Sequence, residues 1–156
     1  IIGDCIAIAL LELRGFKSNE FKRLHPGGNL GKDLKNLDEI MHINKELPLA
    51  DLNEKMSKAL ITMTKKSFGC VGVMNKKKEI VGIITDGDLR RKLNSKLFER
   101  KASDLMTKNP TFANKQMLVG EAINLMNTKK ITSLFVCDKK KPIGIVHIHD
   151  LLRLTS

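Results

Sequence analysis

Thr85 and Asp88 stand three residues apart at the end of the apolar run Gly82-Ile83-Ile84, within Thr85-Asp86-Gly87-Asp88. A hydroxyl and a carboxylate at a strand-to-helix junction can do two kinds of work. In the structural one, the Thr hydroxyl accepts from the Asp88 N–H while the carboxylate reaches back to the cap N–H, a capping box contributing ~1 kcal/mol of helix stability. In the chemical one, the same two groups bind the vicinal hydroxyls of a ribose, and backbone donors at the helix start attract a phosphate. The motif alone leaves both open.

The segment is one half of an echo. Asp38-Glu39-Ile40-Met41 through Gly82-Ile83-Ile84-Thr85-Asp86-Gly87-Asp88-Leu89 returns as Ser103-Asp104-Leu105-Met106 through Gly144-Ile145-Val146-His147-Ile148-His149-Asp150-Leu151. Met41 to Met106 is an offset of 65, while Gly82 to Gly144 and Asp88 to Asp150 are both 62. A deletion of three residues explains the change, since Pro48 follows Met41 by seven and Pro110 follows Met106 by four. A period near 60 residues repeated once reads as a tandem module. In the second copy His147 stands where the first has Thr85, and Asp150 answers Asp88.

The elements that must position these groups follow from periodicity. Met56, Ala59, Leu60 and Met63, and then Val119, Ala122, Ile123 and Met126, recur at helical spacing and predict core-facing stripes. The β-branched runs Cys70 to Met74 and Ile80 to Thr85, joined by Lys76-Lys77-Lys78, predict a hairpin, matched by Ser133 to Cys137 and Ile143 to His147 around Lys139-Lys140-Lys141. Each repeat thus reads helix, strand, strand, helix, with an extended lead-in at Leu47-Pro48-Leu49 or Pro110-Thr111-Phe112. The class is α+β. Half-domains of this size are marginal alone, so the copies are expected to pack face to face, leaving clefts between them.

Composition narrows the partners. The formal charge is +11, but lysine outnumbers arginine 22 to 6, and Trp and Tyr are absent. A nucleic-acid groove would want arginine forks and aromatic platforms, so the lysine triplets read as solvated hairpin tips and no nucleic-acid partner is expected. The charge favours small anionic ligands. Cys5, Cys70 and Cys137 are odd in number and lie in apolar runs, which predicts reduced, buried thiols and a cytoplasmic setting. No spacing suggests a metal site. The apolar run Cys5 to Leu11 is far short of the ~20 residues a membrane span needs, and no secretory leader is visible.

Residues 1–35 stand outside the repeat. Ile1 to Gly15 reads as a helix stopped by Gly15 and apolar nearly all round, the kind buried in a larger domain. With no initiator Met, the chain is expected to be the C-terminal piece of a longer protein cut inside its preceding domain. After it, Leu24-His25-Pro26-Gly27-Gly28-Asn29-Leu30-Gly31-Lys32 forces an irregular turn, either a linker or the edge of an active site.

Two copies ending in Gly-x-x-Thr-x-x-Asp or a variant resemble a CBS-domain pair, or Bateman module, over Leu37 to Leu154. The resemblance implies two pseudo-symmetric motifs, residues 36–97 and 98–156, that bind adenosine or related nucleotides and regulate an attached domain. It implies Thr85 and Asp88 as ribose-binding positions in one cleft and Asp150 in the other, with His147 a departure where Ser or Thr is usual. The stub Gly3 to Phe16 followed by Leu24-His25-Pro26-Gly27-Gly28 resembles the end of a sugar isomerase (SIS) domain, placing residues 1–35 as its remnant and linker. The whole order is similar to bacterial arabinose 5-phosphate isomerases of the KpsF/GutQ type.

That similarity implies a parent enzyme interconverting ribulose 5-phosphate and arabinose 5-phosphate for synthesis of the lipopolysaccharide sugar Kdo. It implies His25 as an active-site residue for proton transfer or substrate positioning, useful only with an SIS domain, so this chain by itself is expected to be inactive. The regulatory ligand is expected to be an adenosine or cytidine nucleotide, or CMP-Kdo, with no required cofactor and with homodimeric or homotetrameric assembly. The competing reading is a CBS pair that serves only for assembly and binds no nucleotide.

Overall fold

The computed structural model describes residues 35–94 and 96–155, together with Leu10 and Leu13, which are helical and exposed. His25 and the rest of the expected SIS remnant lie outside the described residues.

The first repeat runs β1 (Leu49–Asp51), α1 (Met56–Lys66), β2 (Cys70–Met74), β3 (Ile80–Thr85) and α2 (Asp86–Arg91). After α3 (Ala102–Leu105) and β4 (Thr107–Lys108), the second runs β5 (Phe112–Ala113), α4 (Val119–Lys129), β6 (Ser133–Asp138), β7 (Lys141–His147) and α5 (Ile148–Thr155). In each copy a short strand leads through a helix to a parallel partner, Leu49 opposite Gly72 and Phe112 opposite Phe135. An antiparallel hairpin completes the sheet. The expected stripes face inward: Met56, Ala59 and Met63 on α1, and Val119, Ala122 and Met126 on α4, are buried. The lysine triplets at the hairpin tips are exposed.

The two copies do not simply abut; the longer lead-ins that precede each first strand, residues 36–43 and 102–108, are exchanged. β4, which introduces the second copy, joins the first copy's sheet, pairing Gly82 with Lys108 and Ile83 with Thr107. Reciprocally, His42 in the first lead-in bridges Ile145 of the second copy through two backbone bonds of 2.9 and 3.0 Å. Met106 lies over Gly82 and Met41 over Gly144 so closely that a Cβ at either glycine would collide with the methionine side chain. These are the places where the absence of a side chain is required.

The core follows the exchange. One cluster joins Met56, Ala59, Met63, Val71, Val73 and Ile84 to Ala102 and Leu105 from the second lead-in. The other joins Val119, Ala122, Met126, Leu134, Val136, Val146 and Leu151 to Leu37 from the first. A third, with Phe68, Cys70, Ile80, Phe135 and Ile145, fills the space between the sheets. The sheets are stitched at both ends: Ile80 N–H donates to the Lys140 carbonyl at 2.9 Å, and the buried Ser133 hydroxyl donates to the Phe68 carbonyl at 2.6 Å. Burial pushes the Cys70 and Cys137 thiols up to about 12, although Cys137 is only half-buried.

Candidate functional site

β3 delivers Thr85 in extended conformation to the start of α2, where the chain turns helical under a complete capping box. Thr85 Oγ1 accepts from the Asp88 N–H at 3.3 Å, and Asp88 Oδ2 accepts from the Thr85 N–H at 2.9 Å and from its hydroxyl at 2.7 Å. The other oxygen, Oδ1, accepts from Arg91 Nη2 at 2.8 Å and, more loosely, from the Thr107 hydroxyl at 3.4 Å. Burial alone would raise the Asp88 carboxyl. The bonds from Thr85 and the Arg91 guanidinium outweigh it and hold the group below the ordinary carboxylate value.

This carboxylate lies in a cleft of about 650 Å³. Its walls come from both copies: Thr85, Asp86 and Asp88 with Arg90 and Arg91 from α2 on one side, and Lys129 to Ser133 at the end of α4 on the other, with Thr107 and Asn109 to Thr111 between. The Arg91 guanidinium lies across Gly87, 3.2 Å from where a Cβ would stand. Four cationic residues, Arg90, Arg91, Lys129 and Lys130, thus line the cleft that holds one buried carboxylate, and Arg91 pairs with it directly. Such a place can hold a molecule carrying both hydroxyls and phosphates. A second cavity of about 450 Å³, reaching His147, shares Gly69, Asp86 and Thr132 with the cleft.

The corresponding place in the second copy is built differently. The His147 ring accepts from the His149 N–H at 3.3 Å rather than meeting Asp150. Burial, and then the neighbouring His149, lower its pKa. Asp150 Oδ2 instead meets His42 Nε2 at 3.1 Å, and the same ring's Nδ1 meets Glu46 Oε2 at 2.8 Å. Phe68 packs edge-on against it with ring centroids 5.1 Å apart. Burial would lower the His42 pKa, but the bonds to Glu46 and Asp150 and their charges raise it.

Of the residues marked by sequence, Thr85 and Asp88 come together in the first cleft, while His147 and Asp150 make no side-chain bond to each other. Arg91, Thr107 and His42 were missed. The repeat offset held the signal for two of them, because 42 plus 65 is 107 and both follow the matching methionines. Among the described residues no group of three or more His, Cys, Asp or Glu side chains could hold a metal ion, and no helix is long and apolar enough to cross a membrane.

Comparison with known proteins returns the CBS domain, matched at residues 37–95 and again at 102–156. A protein of Rickettsia prowazekii without an assigned activity is 41% identical over 98% of this chain and 48% of its own length. Arabinose 5-phosphate isomerase KdsD of Yersinia pestis is 38% identical, again over 98% of this chain and 48% of that protein. The chain therefore spans about half the length of the curated relatives it matches. Among solved structures, CBSX2 in complex with AMP superposes with a TM-score of 0.65 at 25% identity, covering 76% of this chain and 93% of that one. The CBS domain of a membrane protein from Sphaerobacter thermophilus gives 0.68 at 21% identity, covering 88% and 98%.

Proposed function

The chain belongs to the CBS domain family, which it carries as a tandem pair, and from that premise we propose that it is the nucleotide-responsive regulatory module of an arabinose 5-phosphate isomerase-like enzyme. The observation that carries the reading is the buried Asp88 carboxylate, held by Thr85 and Arg91 in a cleft that Arg90, Lys129 and Lys130 also line and that is large enough for a nucleotide. The AMP found in the CBSX2 complex and the similarity to KdsD along nearly the whole chain support it.

Binding proceeds by exchange at one oxygen. Thr85 occupies Asp88 Oδ2 twice and keeps the carboxylate aimed, so a ribose takes Oδ1, where its hydroxyls replace the Arg91 guanidinium. Arg91, whose side chain is 69% exposed, is free to swing and joins Arg90, Lys129 and Lys130 on the phosphates. Because those groups come from both copies, a ligand draws the halves together, and the difference between open and drawn states is what an attached enzyme domain can sense. The chain itself supplies no isomerase chemistry in this reading; His25 serves only beside an SIS domain.

A thermal-shift series with AMP, ADP, ATP, CMP, CTP and CMP-Kdo tests the reading. A ligand at 100 times its dissociation constant adds ~2.7 kcal/mol and raises the midpoint by roughly 5 °C. A selective shift lost in Asp88→Ala identifies the ligand, whereas flat curves across the panel would sink the reading. They would leave the assembly role, which exposed Leu93 and Phe98, 70% and 55% accessible, favour as a second reading.

A further inference from the structure

The surroundings of Asp88 and Asp150 are not equivalent: His147 stands where Thr85 holds Asp88, and a histidine stands where Thr107 does. Thr107 and His42 hold matching places in the exchanged lead-ins, each directed at the aspartate of the opposite copy. Thr107 reaches Asp88 Oδ1 only at 3.4 Å, leaving the exposed Arg91 as the close partner of that oxygen at 2.8 Å. His42 is held at both ends, by Asp150 at 3.1 Å and Glu46 at 2.8 Å.

A histidine between two carboxylates has a defined protonation requirement. Ionised carboxylates only accept, and a neutral imidazole carries a single N–H, so satisfying both bonds takes the doubly protonated ring. We propose that His42 guards Asp150 as a proton-held clamp, bridging Glu46 and Asp150 while charged and releasing Asp150 to a ligand hydroxyl once it is neutral. The shorter bond to Glu46, four residues away, retains the remaining proton on Nδ1. Nε2 then turns a lone pair toward Asp150 Oδ2, and the contact becomes repulsive.

The surroundings fit this assignment. Glu46 comes from the 3-10 turn Asn44–Glu46, Asp150 from α5, and His147 and His149 from the β7–α5 junction, while Phe68, uncharged, backs the ring from the α1–β2 connection. Burial and then the His149 charge lower the His147 pKa, Asp150 opposes them, and the His42 charge adds a smaller lowering. Lys66, at the end of α1, is engaged with the Lys45 carbonyl in the same turn.

The ligand half of this inference rests on the nucleotide reading above; the clamp does not. Histidine NMR titration of the whole chain decides the clamp. His42 is expected to titrate above an ordinary histidine, and lower in Asp150→Asn and in Glu46→Gln. Calorimetry with AMP decides the gate. Second-cleft affinity is expected to rise about tenfold per pH unit up to the His42 midpoint and level off above it. His42→Thr, which puts the first copy's residue beside Asp150, is expected to bind a second AMP at low pH as well. Comparing it with wild type at one pH cancels the titration of the nucleotide's own phosphate.

A His42 midpoint at or below the ordinary value, or two equal AMP sites in wild type at about pH 5.5 and about pH 8.5 alike, would overturn the proposal. AMP binding to neither cleft at any pH would remove the nucleotide reading instead. The titration would then decide the clamp by itself.

Discussion

His42 and Thr107 occupy equivalent positions in the two halves, yet His42 Nε2 stands 3.1 Å from Asp150 and Thr107 Oγ1 stands 3.4 Å from Asp88, whose closer partners are Thr85 and Arg91. The predictions below turn on the cleft around Asp88 and on the exchange that brings each of these residues to its neighbour's aspartate.

Asp88 couples stability to acid. Its folded pKa is depressed, so its stabilising contribution is fully present above the unfolded carboxylate value of about 3.9 and is lost as pH falls below that toward the folded value. Asp88→Asn is expected to flatten this part of the stability–pH curve. At neutral pH, Asp88→Ala is expected to cost about 1 to 2 kcal/mol through the lost cap. Urea denaturation between about pH 2.5 and about pH 7 checks both statements.

Arg91→Ala separates the two parts of a nucleotide. The ion pair it removes is exposed on the arginine side, so stability is expected to fall by less than about 1 kcal/mol. Adenosine, which competes with Arg91 for Asp88 Oδ1, is expected to bind as well as to wild type or a few-fold better. ATP, which would gain Arg91 on its phosphates, is expected to bind several-fold more weakly. Calorimetry with the two ligands side by side makes the comparison, and parallel changes would contradict the exchange at Oδ1.

The methionine-over-glycine contacts hold the lead-ins in place. Gly82→Ala and Gly144→Ala each drive a Cβ into Met106 or Met41 and are expected to destabilise by about 1 to 3 kcal/mol. Gly82→Ala combined with Met106→Ala is expected to cost less than the sum of the two single changes, because the clash disappears with the side chain. A double-mutant cycle by denaturation measures the coupling; strict additivity would mean that the two residues do not meet.

Much of this arrangement could be read along the chain. Local and periodic signals carried over well: the α1 and α4 stripes, the hairpin Cys70 to Thr85 and the Thr85–Asp88 box are all present. β7 begins two residues before the expected Ile143, at Lys141, because hydrogen bonding between strands continues into the polar turn where the apolar run has ended. What escaped was non-local. β4 is two residues long and pairs across more than twenty residues of sequence, so neither propensity nor period marks it. The role of His42 escaped for the same reason, since its partner Asp150 lies 108 residues away. Arg91 was hidden by its ordinariness, a basic residue in the last turn of a helix, where a dipole partner is expected.

The exchanged lead-ins also decide where mechanical load goes. Lys35 hands its carbonyl to Val119, and seven residues later His42 is fastened to Ile145 by bonds in both directions. A pull on the chain ahead of Lys35 therefore meets the start of α4 and then β7, both in the second copy, before the copy that follows in sequence. The half that lies farther along the sequence is thus the first to be loaded.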